Sequence, residues 1–221
     1  MADDKPLDVY RRKRDFGRTA EPEGRKARQG GKKKRQEDEE EHRFVVQIHD
    51  ASTLHFDFRL QVGDVLKSWS VPKGPSADPH DKRLAMPTED HPLEYEEFEG
   101  VIPEGEYGGG TVIVWDNGTY RPMSHDRRGR PVPFAASLDK GHATFWLDGS
   151  KLHGAYALTR FREGNGQREA WLLVKADDRR ARPGHDAPDP RRARSTTTGR
   201  TLHQVAEQAE QAEQAEQGER S

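Results

Sequence analysis

The sequence predicts an all-β fold, an antiparallel barrel or sandwich, and three observations support this. Short apolar or alternating runs recur between residues 44 and 178, as they do in domains built from many short strands. Turn signals such as Gly63-Asp, Asn117-Gly and Gly164-Asn-Gly separate them. No stretch of this region carries the sustained apolar stripe of an amphipathic helix. The runs cover 44–49, 54–62, 65–71, 82–86, 111–116, 143–148, 152–161 and 170–175.

The composition divides the chain into three parts. Of its 221 residues, 31% are hydrophobic and 34% are charged, so a large share of the length is unsuited to a packed core. We expect a disordered, charged N-terminal arm at 1–43, a folded domain at 44–178 and a low-complexity tail at 179–221. Ala-Glu-Gln repeats in the tail favour helix but provide no wide apolar face, so we expect a frayed helix or disorder there.

The N-terminal arm is strongly basic. Between Val9 and Arg35 there are twelve Lys or Arg residues against three acidic ones, and an acidic block at 37–41 follows directly. A run of this kind can bind a nucleic-acid backbone by releasing counterions. The alternative is a solvated tail in which the acidic block competes for the basic run. Within the arm, Phe16 is the side chain we expect to anchor on the domain.

The chain has no cysteine, which excludes disulfides and thiolate metal sites and is typical of a reducing compartment. Its first residues lack the basic-then-apolar pattern of a secretion signal, and no apolar run is long enough to span a membrane. We therefore expect a cytoplasmic protein with no membrane partner.

A strand at 54–60 predicts a metal site. Successive side chains of a strand point to opposite faces, so His55, Asp57 and Arg59 share one face. A turn at 50–53 would place His49 beside His55. Two imidazoles and one carboxylate suit a divalent metal ion and leave coordination positions open, and Arg59 adds positive charge. We expect such a site to attract an anion.

Further polar residues are individually weaker candidates. Lys73 and Arg83 supply cations, and His91 and Tyr95 lie four residues apart in a polar segment. His91 can serve as a third ligand, a phosphate donor or an acid–base group, and these alternatives stay open at this point. The glycine-rich stretch 100–110 lacks the Gly-Lys-Ser/Thr ending of a P-loop, so we interpret it as a structural loop.

Several long motifs resemble one known family. The stretch Phe44-Val-Val-Gln-Ile-His49-Asp-Ala-Ser-Thr-Leu-His55-Phe-Asp57-Phe-Arg59-Leu closely resembles the 3′-phosphoesterase domain of bacterial DNA ligase D, the end-processing module of non-homologous end joining. The similarity continues through Leu66-Lys-Ser-Trp-Ser-Val-Pro-Lys73-Gly-Pro, Glu89-Asp-His91-Pro-Leu-Glu-Tyr95 and Trp171-Leu-Leu-Val-Lys. Upstream, Lys13-Arg14-Asp15-Phe-x-x-Thr-x-Glu21-Pro is similar to the family's N-terminal signature.

The resemblance implies a compact antiparallel β-barrel of about eight strands with the site in a groove. It implies Mn²⁺ as the metal, although the same donors also suit Co²⁺ or Zn²⁺. The implied ligands are His49, His55 and Asp57, and the implied phosphate contacts are Arg59 and a protonated His91. The other activity-linked positions are Lys73, Arg83, Tyr95, Arg14, Asp15 and Glu21.

The activity that the resemblance implies is healing of blocked 3′ ends in DNA repair, by removal of a 3′-terminal ribonucleoside and then of the 3′-phosphate. DNA or RNA/DNA primer–template ends are the implied partners, in a nucleoid-associated setting. Because no polymerase or ligase motif follows, we expect a stand-alone phosphoesterase working with separately encoded ligase, polymerase and end-binding proteins. Two alternatives stay open: a non-haem Fe(II) oxygenase with a His-x-Asp…His triad, and a non-catalytic barrel that binds DNA ends.

Overall fold

A computed structural model describes residues 6–24, 42–163, 168–185 and 188–219. Seven of the twelve basic residues of the arm, from Arg25 onward, lie outside the described residues. The acidic block at 37–41 and the predicted turn at Gly164 also lie outside them.

Ten strands form one antiparallel sheet. They are β1 (His42–Asp50), β2 (Leu54–Val62), β3 (Val65–Val71), β4 (Arg83–Pro87), β5 (His91–Pro92), β6 (Gly100–Ile102), β7 (Gly110–Pro122), β8 (His142–Gly149), β9 (His153–Arg162) and β10 (Ala170–Lys175). Eight of them pair in the order β1-β2-β3-β4-β10-β9-β8-β7, and β7 pairs back with β1. The sheet is therefore a closed eight-stranded barrel, as expected, with β5 attached to β3 and β6 to β7.

The eight predicted apolar runs coincide with the eight barrel strands, because inward positions alternate with outward ones along each strand. The inward side chains fill the barrel with a continuous apolar core, so the interior is packed. On β1 and β2 these side chains are Phe44, Val46, Ile48, Phe56, Phe58 and Leu60. Any polar site on these strands must consequently lie on the outer face of the barrel.

The turn predicted at Asn117-Gly is wrong, because both residues lie inside the long strand β7. Gly118 is paired with Phe44 of β1 on one side and with Gly149 of β8 on the other. A β-carbon at Gly118 would lie 2.3 Å from the carbonyl oxygen of Asp148. Glycine is needed here because the three strands approach too closely for a side chain. A glycine inside a strand therefore need not mark a turn.

Four short or peripheral helical elements accompany the barrel: α1 (Asp8–Arg12), a 3₁₀ helix (Leu93–Glu97), α2 (Phe134–Asp139) and α3 (Leu202–Glu219). The sequence analysis did not predict α2, which is only six residues long and buries Phe134 and Leu138 in the main core. Within the described parts of the chain, no helix has the length and apolar character needed to cross a bilayer.

The Ala-Glu-Gln repeats of the C-terminal tail are helical, in line with one of the two predicted alternatives, but the tail also packs on the barrel, which was not predicted. The first turn of α3 buries Leu202 and Val205 in the main core. The segment before it also packs, since the amide of Thr196 donates to the Val114 carbonyl at 2.9 Å and Arg200 pairs with Glu99 at 3.4 Å. Leu202 and Val205 precede the Ala-Glu-Gln repeats, so the pattern of the repeats could not indicate that the helix packs on the barrel.

The N-terminal arm packs more extensively than the expected anchor at Phe16, because residues 6–24 fold onto the outer face of the barrel. Tyr10 is fully buried there in a second apolar cluster, and Phe16 packs against that cluster as expected. The cluster's other buried members come from β1, β3, β6, β7 and the segment around the 3₁₀ helix; they are Val45, Leu66, Tyr95, Phe98, Ile102, Val112 and Val114. This second core places the arm directly beside the outward polar residues of β1 and β2.

Candidate metal centre

The β1–β2 hairpin brings the predicted ligands together on the outer face of the barrel. His49 is the direct cross-strand partner of His55, and Gln47 is the partner of Asp57. Directly opposed residues of an antiparallel pair project to the same face, so all four side chains are neighbours. Each of the imidazoles and the carboxylate offers one ligand atom, and these three atoms lie within 4.8 Å of one another.

The separations within this group suit a shared metal ion. His49 Nδ1 lies 3.7 Å from Asp57 Oδ2, and His55 Nε2 lies 3.5 Å from Asp57 Oδ1. Two ligands that are each about 2.1 Å from one ion at a tetrahedral angle lie about 3.4 Å apart. The distances from the two imidazole nitrogens to the Asp57 oxygens are close to this ligand-to-ligand separation, and they are too long for strong hydrogen bonds.

Backbone carbonyls fix which nitrogen of each imidazole faces the centre. His49 Nε2 lies 2.7 Å from the carbonyl oxygen of Gly108, and His55 Nδ1 lies 2.7 Å from that of Thr53. Because a carbonyl only accepts, each of these nitrogens carries a hydrogen. The remaining nitrogens, His49 Nδ1 and His55 Nε2, face Asp57 and are therefore the atoms that would bind a metal ion, and the carbonyls orient the rings as second-shell partners orient metal-binding histidines.

The glycine-rich loop has a structural role, as expected, and it also supports the site. A β-carbon at Gly110, whose φ is +143°, would lie 2.1 Å from the carbonyl oxygen of Asp50, so only glycine permits this approach to the β1–β2 turn. The loop thereby places the Gly108 carbonyl against His49.

Asp57 is held as a carboxylate. Burial alone would raise the pKa of its carboxyl, but Arg59 and then the two imidazoles lower that pKa well below its usual range. Arg59 Nη2 donates to Asp57 Oδ2 at 2.9 Å. For His55, burial favours a lower pKa, but the neighbouring carboxylate outweighs it and the pKa of the ring is raised.

Arg59 connects the centre to its surroundings. Its side chain is almost completely buried, and its Nε donates to Gln47 Oε1 at 2.9 Å while Nη1 donates to Ser68 Oγ at 2.8 Å. Gln47, which is fully buried, donates in turn to the carbonyls of Tyr95 and Phe98, each at 3.0 Å. The guanidinium is therefore fixed in position by polar partners.

His91 lies between two guanidiniums. Its Nδ1 is 2.8 Å from Arg59 Nη1 and also 2.8 Å from the carbonyl oxygen of Glu89, and its Nε2 is 3.4 Å from Arg14 Nη2. Burial, then Arg59 and Arg14, lower the pKa of His91 well below its ordinary value. The lowered pKa favours the neutral ring, whereas the protonated ring was expected from the sequence.

The N-terminal arm covers this side of the site. Arg14 pairs with Glu21 at 2.9 Å and with Glu89 at 3.0 Å, and these side chains are nearly inaccessible to solvent. The hydroxyl of Tyr95 donates to Glu21 at 2.9 Å, while its ring packs edge-on against His91. The structure thus brings Arg14, Glu21, His91 and Tyr95 together with the metal centre.

Three further predicted positions, Asp15, Arg83 and Lys73, make no contact with Asp57, Arg59 or His91 among the contacts described above. Asp15 accepts a hydrogen bond from the Gly17 amide at 3.0 Å, which stabilises the turn of the arm. Arg83 pairs with Asp81 at 2.7 Å. Met86 of β4 lies on the same face of the sheet as Asp57, because Ser70 of β3 pairs with both residues. Arg83, three positions before Met86, lies on the opposite face.

Lys73 is exposed in the turn after β3. Since β3 ends at Val71 opposite Phe56, this turn lies at the same end of the sheet as His55.

The sequence analysis missed Gln47, Ser68 and Glu89, which hold Arg59 and Arg14. Gln47 had a detectable signal, because it is the one polar residue between Phe44 and His49 and shares the parity of His49. Ser68 becomes recognisable only when the register pairs it with Arg59. Glu89 reaches the site through a loop, and no strand periodicity identifies it.

Comparison with known proteins yields one family. Residues 47–160 match the family model described as the DNA Ligase D 3′-phosphoesterase domain. The chain is 50% identical over 182 residues to the multifunctional non-homologous end joining protein LigD of Pseudomonas aeruginosa, a match that covers 82% of this chain and 20% of that protein.

More distant relatives carry similar names. The multifunctional non-homologous end joining DNA repair protein LigD of Mycobacterium tuberculosis is 41% identical over 166 residues, covering 75% of this chain and 19% of that protein. The LigD of Mycolicibacterium smegmatis is 36% identical over 185 residues, covering 82% and 22%. The aligned part thus spans about a fifth of the length of each of these relatives.

Proposed function

The chain belongs to the family of DNA ligase D 3′-phosphoesterase domains, and from this premise we propose that it is a metal-dependent phosphoesterase that heals blocked 3′ ends of nucleic acids during non-homologous end joining. Its substrates are primer ends that carry a 3′-terminal ribonucleoside or a 3′-phosphate, and its product is a 3′-hydroxyl. The observation that carries the proposal is the cluster of His49, His55 and Asp57 beside two buried arginines.

The cluster supports a divalent metal because its donors are two oriented imidazole nitrogens and one carboxylate. His49, His55 and Asp57 would hold the ion, with Mn²⁺ as the first candidate and Co²⁺ or Zn²⁺ as alternatives. When bound, the ion supplies Lewis-acid chemistry to a phosphoryl oxygen or a water molecule.

The chain's own residues would bind and orient the phosphate. Arg59 and Arg14 concentrate positive charge on one side of the centre, with His91 between them. Preorganised donors of this kind need no rearrangement as charge builds on the phosphoryl oxygens. Lys73 in its exposed turn would add a further cation at the open end.

The role of the N-terminal arm in this proposal is to fix the arginines. Glu21 and Glu89 accept from Arg14, and Tyr95 ties Glu21 to the barrel. Arg14, Glu21 and Tyr95 are therefore proposed as residues that position the phosphate contacts. Asp15 would contribute through the turn of the arm, and Arg83 through its pair with Asp81.

Two hydrolytic steps account for the product. In the first, water adds to phosphorus and the bond to the 5′-oxygen of the terminal nucleoside breaks, which releases the nucleoside and leaves a 3′-phosphate. In the second, water adds again and the bond to the primer's 3′-oxygen breaks, which releases inorganic phosphate. Nucleic-acid ends are the substrate partners in this proposal, and ligase and polymerase activities would act on the healed end.

The test is incubation with a 5′-labelled primer–template that ends in one ribonucleotide. With Mn²⁺ we expect first the primer with a 3′-phosphate and then the primer with a 3′-hydroxyl, and we expect neither with chelator. Asp57→Ala is expected to form neither product. Wild-type turnover by Asp57→Ala would contradict the proposed site.

The same experiment separates the alternatives. Turnover of 2-oxoglutarate in place of phosphate release would favour an oxygenase. Equal affinity for the primer end with and without metal, together with no product, would favour a non-catalytic end-binding barrel.

A further inference from the structure

A groove of about 460 Å³ lies beside the metal centre, between the N-terminal arm and the barrel. The arm contributes Val9 and Lys13, and the barrel side contributes Pro87, Glu89, Tyr107 and Arg168. Its volume falls within the range of sites that hold small organic molecules. Tyr107 is unusual for an aromatic residue, because 46% of it remains exposed.

Two walls of the groove are joined to the metal centre by short contacts. Tyr107 precedes Gly108, whose carbonyl oxygen lies 2.7 Å from His49 Nε2. On the other wall, Glu89 accepts from Arg14, and Arg14 lies 3.4 Å from His91. A group bound in the groove would therefore be a near neighbour of a phosphate bound at the centre.

The acidic groups of the groove are already neutralised. Glu89 pairs with Lys13 and Arg14, each at 3.0 Å, and Asp90 pairs with Lys67 at 2.7 Å. Lys13 Nζ also lies over the Tyr107 ring, 4.3 Å from its centroid and 2.9 Å from its oxygen, and the Arg14 guanidinium lies 5.5 Å from the same centroid. The groove thus offers an aromatic ring and paired charges, which suit a neutral aromatic group with polar edges better than a second phosphate.

From these contacts we infer that the groove holds the terminal nucleoside of the 3′ end, with its base stacked on Tyr107. The inference rests on the proposed function, since it names the part of the substrate that leaves in the first hydrolytic step. Stacking on an aromatic side chain accepts every base, because each base has a π-face. Arg168, which also lines the groove, is exposed to solvent.

The two proposed steps make the inference testable. A 3′-ribonucleoside end carries the group that would occupy the groove, whereas a 3′-phosphate end lacks it. Loss of the ring should consequently affect only the first step. If Tyr107 instead bound the primer strand, or only kept His49 in position, its loss would affect both steps equally.

The experiment compares KM and kcat of Tyr107→Ala and wild type on the two ends with Mn²⁺. We expect KM for the ribonucleoside end to rise about tenfold, while the 3′-phosphate end keeps its wild-type KM and kcat. Tyr107→Phe keeps the ring but removes the hydroxyl contacts with Lys13 and Glu89, so it should restore the lower KM for the ribonucleoside end that Tyr107→Ala loses. Phe161→Ala, which removes a half-exposed ring on β9, is the matched control and should change neither reaction.

The outcomes separate this inference from the proposed function. An unchanged KM of Tyr107→Ala for the ribonucleoside end, or an equal loss on both ends, would overturn the nucleoside site and leave the proposed function intact. If wild type releases neither nucleoside nor phosphate, the proposed function itself fails.

A binding measurement provides a readout independent of turnover. Adenosine added in the presence of chelator should perturb the NMR signals of the Tyr107 ring in wild type, and its affinity should fall about tenfold in Tyr107→Ala. Equal adenosine affinity of the two proteins would contradict the inference.

Discussion

Arg59 is the residue on which the geometry of the site depends most directly. It donates to Asp57, Gln47 and Ser68 and contacts His91, although only 2% of it is exposed. A buried guanidinium is tolerable only while its partners remain, because taking a charge out of water is costly. The pair of Arg59 and Asp57 is therefore structural, and under the proposed function stability and activity are linked at this position.

Asp57→Ala should destabilise the protein by about 3–5 kcal/mol, because it leaves the Arg59 guanidinium buried without its carboxylate. The double variant Asp57→Ala/Arg59→Met should recover most of that loss. Urea unfolding at neutral pH without metal measures both. The control is Glu163→Ala, which removes a mostly exposed carboxylate paired with Arg160 and should cost about 1 kcal/mol or less. A smaller loss for Asp57→Ala than for Glu163→Ala would show that the buried pair is not structural.

His55→Ala should separate metal binding from stability. The side chain of His55 is 19% exposed at the edge of the site, so its removal should change the free energy of unfolding by about 1 kcal/mol or less without metal. The affinity of the His55→Ala variant for Mn²⁺ should fall at least about 100-fold, since one of the three ligands is lost. Calorimetric titration measures this affinity. His153→Ala, at a surface histidine of β9, should bind Mn²⁺ like wild type. An undiminished affinity of His55→Ala would remove this residue from the metal centre.

At the scale of elements, the N-terminal arm and the barrel are held together by ion pairs that also form the site. Glu89 accepts from Lys13 and Arg14 of the arm, and its side chain is only 3% exposed. Burial favours a raised pKa, but its own backbone amide and then Lys13 and Arg14 outweigh burial, so the pKa of Glu89 is lowered.

Glu89→Gln should therefore lower the stability by about 2 kcal/mol at pH 7. Because the folded-state pKa is below the unfolded value of 4.5, the carboxylate contributes its full stabilisation above pH 4.5. That contribution is lost as the pH falls through the folded value. The difference in unfolding free energy between wild type and Glu89→Gln should accordingly shrink on acidification below pH 4.5. A difference that stays constant or grows with acidification would contradict the role given to the carboxylate.

The C-terminal helix makes a second test at this scale. Leu202→Ala should cost about 2–5 kcal/mol, because Leu202 is buried in the main core. Truncation after Glu210 removes the distal part of α3 and should change stability by about 0.5 kcal/mol or less. Thermal and urea unfolding compare the two. If the truncation destabilised the protein more than Leu202→Ala, the anchoring role of the first turn would be wrong.

The elements that the sequence predicted well are those with a strict period. All eight barrel strands have alternating or apolar runs, and the same alternation placed His55, Asp57 and Arg59 on one face. The Asn117-Gly turn was wrong because a local turn signal cannot reveal that three strands converge on Gly118. The docking of Tyr10 and Leu202 was missed because each is an isolated apolar residue in a polar segment, and its partners are remote in sequence.

The lowered pKa of His91 could not be predicted from the sequence for a different reason. Its pKa depends on Arg14 and Arg59 approaching from opposite sides, and Arg14 is 77 residues away along the chain. Only the folded arrangement of the arm over the barrel determines it. The family resemblance identified the residues, whereas their protonation and mutual support required the structure.

At the scale of the whole molecule, the barrel interior and its outer face have separate tasks. The interior is filled by one apolar core, which gives the β1–β2 hairpin a rigid base. The outer face carries the metal centre, the arginines and the groove, with the arm packed over them. A site on rigid strands keeps its side chains in a fixed geometry, and the arm adds Arg14 and Glu21 beside it.

The most direct test of this account is anomalous diffraction from crystals of the protein soaked with Mn²⁺. The account predicts one strong peak bonded to His49 Nδ1, His55 Nε2 and a carboxylate oxygen of Asp57, each at about 2.0–2.2 Å. A strong peak elsewhere, with these three side chains unliganded, would contradict it.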